Sequence, residues 1–237
     1  MTRPGLASAA PPTSAKAARP SKAQRLGELG LFYVAAPGLI ALASAGHRWV
    51  VAPTIALGAL LSALVLWRDP SYDRRAFWGL AAFRAGLLRL LLRSALALLL
   101  LSAGLWAAGA WPAFRMPRER PLVWLGVLAL YPLLSAGPQE VMYRTLFFHR
   151  YGALFGSETA RLVASALLFG WAHVLVHDGL AVLLATAAGG LLALTWRRSR
   201  SLLLVGLEHS LYGAFVFTAG VGGMFVNGVR LVSGLTR

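Results

Sequence analysis

YPLLSAGPQEVMYRTLFF, residues 131–148, is the stretch that decides the fold of this chain. It is mostly apolar, yet Gln139, Glu140 and Arg144 sit within it. Two later stretches repeat the pattern. SALLFGWAHVLV, residues 165–176, carries His173, and LLLVGLEHSLYGAFVF, residues 202–217, carries Glu208 and His209. Ionisable groups inside apolar segments of membrane length are costly, so they face a bundle interior and serve a pathway, a partner or a reaction. Carboxylate, arginine and paired histidines spread over three hydrophobic segments read as an intramembrane active site.

Composition agrees. The chain is 58% hydrophobic and 13% charged, with a mean hydropathy of +0.66. That is roughly half the charge content of an ordinary soluble domain. Several segments approach the ~20 apolar residues that cross a bilayer. The expected class is an all-α, polytopic membrane helix bundle of about seven to eight transmembrane helices. The net charge of +15 does not indicate nucleic acid, because the arginines flank apolar segments, as the positive-inside rule requires. The lipid bilayer is the expected surrounding. The absence of cysteine excludes disulfides, thiolate metal sites and a cysteine nucleophile. Residues 1–28 read as a disordered, basic cytosolic tail rich in Ala, Pro and Ser, and residues 29–237 as the bundle.

The expected spans are Leu29–Gly46, Trp49–Trp67, Ser94–Trp111, Leu122–Phe148, Leu162–Val176, Leu180–Trp196 and Leu202–Ala219. The fourth is long enough to be tilted or broken at Gly137-Pro138. Residues 68–93 read as a basic interfacial helix with snorkelling arginines, and the Gly-rich residues 220–237 are a candidate eighth span. Basic residues gather in the tail, in the 68–93 connection and in the Arg197–Arg200 turn. If seven helices alternate, these share one side, which places the N-terminus in the cytosol, with a bacterial inner membrane as the expected location. Counted from Arg150, Arg161 and Arg200 at about 1.5 Å per residue, Glu140, His173 and His209 lie roughly 13–18 Å deep. Three segments thus bring polar groups to nearly one level of a hydrocarbon core about 30 Å thick.

Glu140 and Arg144 share a helix face at four-residue spacing, which suits a neutralising ion pair. A carboxylate and a neutral imidazole can together activate water against an amide. A second histidine, with a small neighbour such as Gly213 one turn on, can face the developing oxyanion. Glutamate with two histidines is also a permissible zinc set, but no segment carries the HExxH spacing, and no cofactor is expected. Glu208 points about 100° away from His209 on a helix and does not automatically share its site. His47, His149 and His177 fall at segment ends and need no catalytic explanation.

PQEVMYRTLFF, FGWAH at 169–173 and HSLYG at 209–213 together resemble the CAAX-protease and bacteriocin-processing (CPBP, or Abi) family of intramembrane proteases, whose ordered motifs are EExxxR, FxxxH and HxxxN. The resemblance covers about residues 120–218. It implies a glutamic endopeptidase in which the first glutamate and the FxxxH histidine activate water, while the last motif's His and Asn stabilise the oxyanion. Glu140, Arg144, Phe169, His173 and His209 agree with the pattern. Gln139 stands where the family has its first glutamate, and Gly213 where it has asparagine. An amide has no useful pKa and cannot be a general base. Either Glu140 takes that role or His173 acts alone, or catalysis is lost. The implied substrate is a membrane-associated peptide or protein, prenylated CAAX-like ones included. The alternatives are a non-catalytic scaffold that keeps the cavity to bind a peptide, and a proton-coupled transporter, against which the lack of inverted repeats counts.

Overall fold

Hydrocarbon offers no partner to a backbone N–H or C=O, so a spanning segment must bond to itself. The computed structural model describes residues 20–44, 47–74, 78–109 and 114–219, and there the chain is helical, with no strand among the described residues. Among the described residues, seven helices are long and apolar enough to cross a membrane: α1 Lys22–Ser44, α2 Val51–Arg68, α3 Leu80–Ala107, α4 Pro121–Leu154, α5 Glu158–Val176, α6 Gly179–Ser199 and α7 Leu202–Ala219. The candidate eighth span at 220–237, and residues 1–19 of the tail, lie outside the described residues.

Three departures from expectation have a local reason. α1 begins at Lys22, inside the segment read as tail, because the Ser21 hydroxyl accepts the Gln24 N–H and caps it. The interfacial helix expected within 68–93 and the span expected from Ser94 form one 28-residue helix, α3. Its Arg93 does not snorkel outward; it reaches the buried Glu208 of α7. α4 is continuous through Gly137-Pro138, where a break was allowed for. It absorbs the proline by widening to π-helical turns over Pro132–Ala136 and again over Val141–Tyr151. Such turns recur at functional sites. Gly137 makes the passage possible, since a Cβ there would come within 2.9 Å of the Pro132 carbonyl oxygen.

α5 and α6 approach closely through small residues, the usual means of packing helices in lipid. A Cβ on Gly170 would run into Thr186, and one on Gly189 would press on Phe169 and Ala166. α7 contacts α3, α4 and α6. One end of the bundle is tied by polar pairs. Arg150 donates to both Glu28 oxygens at 2.7 and 2.9 Å, His149 Nε2 lies 3.0 Å from Asp69 Oδ2, and the Ser201 hydroxyl donates to the Trp78 carbonyl at 3.0 Å. Hydrogen bonds from Ser71, opposed by burial and joined by His149, hold the Asp69 carboxyl at about 2. These contacts gather the start of α1, the end of α2, the end of α4 and the approaches to α3 and α7 at one face, as alternating helices require.

Glu208 is fully buried in α7. Arg93 of α3 and Thr195 of α6 donate to it, and the Tyr212 hydroxyl, one turn on, donates at 2.7 Å. Removing one member of a buried pair leaves an uncompensated charge, at a typical cost of about 3–5 kcal/mol. Glu208→Ala should therefore lower unfolding stability in detergent by about that amount. The matched pair Arg93→Met with Glu208→Leu should lose much less. Equal losses in the single and the paired variant would show that the charge pairing is not what ties α3 to α7.

Candidate active site

The four residues of α4 between its two widened stretches are Gly137–Glu140, so Gln139 and Glu140 sit on a short, regular segment held from both sides. Glu140 is 0% exposed. A buried carboxylate must have its charge met; one oxygen is hydrogen-bonded and the other faces a cation. Oε1 accepts from His209 Nδ1 at 2.8 Å, and Oε2 lies 3.3 Å from Arg144 Nε. Arg144 is equally buried and spends its other donors across the bundle. Nη1 donates to the Tyr143 carbonyl at 3.1 Å and to the Ser165 hydroxyl at 3.2 Å, and Nη2 donates to the Gly189 carbonyl at 3.2 Å. One guanidinium thereby joins α4 to α5 and α6, a task suited to its rigid fork of donors.

Phe169 of α5 is the surface on which the site is assembled. The Arg144 guanidinium carbon stands 4.9 Å over its ring. His173 and His209 meet the same ring edge-on, at centroid distances of 4.9 and 5.4 Å. His173 ends the regular part of α5 and opens the tighter turn His173–Val176. Its Nδ1 lies 2.9 Å from the Phe169 carbonyl oxygen. A carbonyl only accepts, so Nδ1 carries the proton and the neutral ring presents its lone pair at Nε2. His209 is set by the same logic: the Glu140 carboxylate takes Nδ1–H, which turns Nε2 the other way.

The expected residues therefore converge. Glu140, Arg144, Phe169, His173 and His209 form one connected cluster from α4, α5 and α7. Gln139 is beside it, its side-chain amide donating to the Ser135 hydroxyl at 2.9 Å. Exposure divides the group: Glu140 and His209 are buried, while His173 is half-buried. Among the described residues no group of three or more His, Cys, Asp or Glu side chains forms a metal-binding cluster. Glu208, next to His209 in the chain, faces the Arg93 network instead.

One member was missed in the sequence. Tyr131, at the start of the quoted stretch, places its hydroxyl 3.1 Å from His209 Nε2, with the two rings edge-on at 5.9 Å. Its ring fills the space beside Gly213, where any Cβ would collide with it. The available signal was register: Tyr131, Ser135 and Gln139 recur every four residues along α4.

Residues 120–215 match the family model described as type II CAAX prenyl endopeptidase Rce1-like. The match spans all three motifs, and the resemblance drawn from them is borne out. No curated protein and no solved structure matches the chain.

Arg144 carries the packing of this cluster as well as its charge balance. Arg144→Met should leave Glu140 buried without its cation and lower stability by about 3–5 kcal/mol. Arg144→Lys should recover only part of this, because an ammonium cannot span Ser165 and Gly189 while facing Glu140. Thermal unfolding in detergent measures both, and a lysine variant as stable as the parent would refute the bridging role.

Proposed function

We propose that this protein is an intramembrane endopeptidase of the CAAX-protease type, hydrolysing a peptide bond in a membrane-associated protein, prenylated CAAX-like substrates included. The reading is carried by one observation: two histidines of fixed orientation and a buried Glu–Arg pair are grouped around Phe169, within helices of membrane length. The charge asymmetry along the sequence supports a cytosolic N-terminus, with the site entered from the tied, basic end of the bundle.

His173 Nε2 is the base. It takes a proton from water as the water oxygen bonds to the scissile carbonyl carbon, and the carbonyl π pair moves onto oxygen. When the tetrahedral species collapses, the C–N bond breaks and the departing nitrogen takes the proton back from His173. In this reading Glu140 stands behind His209, and His173 takes the water. Glu140 Oε1 accepts from His209 Nδ1, so the carboxylate acts behind His209, fixing that ring and marking the oxyanion side. Gln139 hydrogen-bonds water or substrate without exchanging a proton.

A second reading follows from Gln139 alone. With an amide where the family has its first glutamate, the cluster would bind a peptide without cleaving it, as a scaffold or regulator, since fold does not imply function.

Cleavage separates the two. With the full chain in vesicles and a quenched peptide ending in a prenylated CAAX sequence, His173→Ala should reduce kcat by about 10²–10⁴, the usual worth of a general base. Cleavage by the parent that survives this change would dismiss His173, and no cleavage by the parent would favour the scaffold. Gln139→Glu supplies the missing carboxylate and should raise kcat at least about tenfold if a second basic group adds to His173. An unchanged or lower rate would mean that position 139 does not face the attacking water.

A further inference from the structure

Glu140, His209 and Tyr131 form a hydrogen-bonded chain, with steps of 2.8 and 3.1 Å, that leads from the protein interior outward. Exposure rises along it. Glu140 is 0% and His209 6% exposed, whereas Tyr131 is half-buried. The least buried member of the chain is Tyr131. Chemistry points the same way. With Nδ1–H committed to Glu140, a neutral His209 has only a lone pair at Nε2 and cannot donate to an oxyanion. A protonated His209 would donate from Nε2 to the phenol oxygen beside it. In either state the Tyr131 O–H is the proton at the end of the chain.

The space this residue uses is itself informative. Position 213, one turn after His209, has no side chain, and the Tyr131 ring occupies the volume that one would take. α7 offers no side-chain donor at this position, and α4 supplies one, the Tyr131 hydroxyl, beside His209 Nε2. Ser135 and Gln139 continue the polar register from Tyr131 along α4, so the phenol opens onto the same stripe as the residue placed beside the attacking water.

We propose that the Tyr131 hydroxyl is the group that meets the scissile carbonyl oxygen, and that His209 is a positioning residue behind it. This rests on the endopeptidase reading above and assigns its oxyanion donor. As water adds to the carbonyl carbon and its proton passes to His173, the negative charge on oxygen accepts a hydrogen bond from the Tyr131 O–H. That proton stays on tyrosine. The hydroxyl turns from His209 Nε2 to the oxyanion, or, with His209 protonated, donates to the oxyanion while accepting from Nε2. On collapse the carbonyl re-forms and the phenol returns to its resting bond.

The test uses the full chain in phosphatidylcholine–phosphatidylglycerol vesicles with a quenched, prenylated CAAX peptide and its phosphinate analogue, whose anionic oxygen stands at the scissile position. Tyr131→Phe keeps the ring beside Gly213 and should lower kcat by about 10²–10³ with KM nearly unchanged, the usual effect of losing one oxyanion donor. It should also weaken phosphinate binding at least about tenfold, with the melting temperature held. Tyr131→Leu paired with Gly213→Asn clears the ring and returns a compact donor one turn after His209. It should recover at least about tenfold in kcat over Tyr131→Leu alone, a rescue that a purely structural tyrosine would not give. A Tyr131→Phe enzyme within threefold of the parent in kcat and in phosphinate affinity overturns the assignment and leaves the endopeptidase reading standing. A parent that binds the phosphinate through Tyr131 but cleaves nothing overturns the endopeptidase reading and keeps Tyr131 as the anion donor. A parent that neither cleaves nor binds overturns both.

Discussion

A carboxylate buried in the middle of a membrane bundle has to be answered by the protein, because neither lipid nor bulk water will do it. Glu140 is that carboxylate, and its surroundings follow from the requirement. Arg144 answers one oxygen and His209 the other. Arg144 then needs partners for its remaining donors, and finds them at Ser165 and Gly189 on two further helices. The guanidinium needs a flat face to lie on, which Phe169 supplies, and the two edges that Phe169 leaves are taken by the histidines. Glycine at 189 lets its backbone come this near to Phe169 and Ala166 without pressing on them. Four helices are thus placed by the satisfaction of one charge.

The same chain contains a second buried carboxylate that is put to another use. Glu208 precedes His209 directly, and a turn of about 100° on the helix sends the two side chains to different neighbours. Glu208 is enclosed by Arg93, Thr195 and Tyr212, all donating to it. No imidazole joins that group and its carboxylate is wholly covered. The Glu140 cluster differs in one respect that matters for chemistry: its chain of hydrogen bonds runs through His209 to the half-buried Tyr131, and the half-buried His173 packs on the same Phe169 ring. A closed network fixes helices, whereas one that reaches an accessible edge can also act on a substrate.

Much of this was legible in the sequence for a definite reason. In lipid every apolar run must be a helix, so hydropathy yields the spans, and the last one, Leu202–Ala219, has the limits read from it. Polar residues inside those runs had to converge, and Glu140, Arg144, His173 and His209 do. What the sequence hid was set by tertiary geometry. Nothing local distinguishes an arginine that snorkels from one that, like Arg93, turns inward to a carboxylate 115 residues away. The passage of α4 through Pro138 depends on helix widening, which hydropathy does not register. Tyr131 was invisible as a site residue because tyrosine is ordinary in a membrane helix, and only its approach to Gly213 and His209 gives it meaning. The way Glu140 is held likewise needed the tertiary contacts, since composition cannot tell which group each of its oxygens meets.

The amide at Gln139 can be understood from the charge of the cluster. As built, one carboxylate faces one guanidinium, and the histidines can remain neutral without leaving a net charge in the membrane interior. A glutamate at 139 would place a second carboxylate next to Glu140 on the same short segment. Like charges that close raise the cost of ionising either one, and desolvation adds to it. Glutamine keeps the hydrogen-bonding shape, spends its amide on Ser135, and leaves the pair balanced. The base we propose, the imidazole of His173, needs no counter-ion at rest. Tyrosine is the matching choice for a donor, since it offers a proton without carrying a charge. Gln139 and Tyr131 therefore follow one constraint: a site in hydrocarbon that already holds one ion pair adds neutral groups around it more cheaply than a second pair.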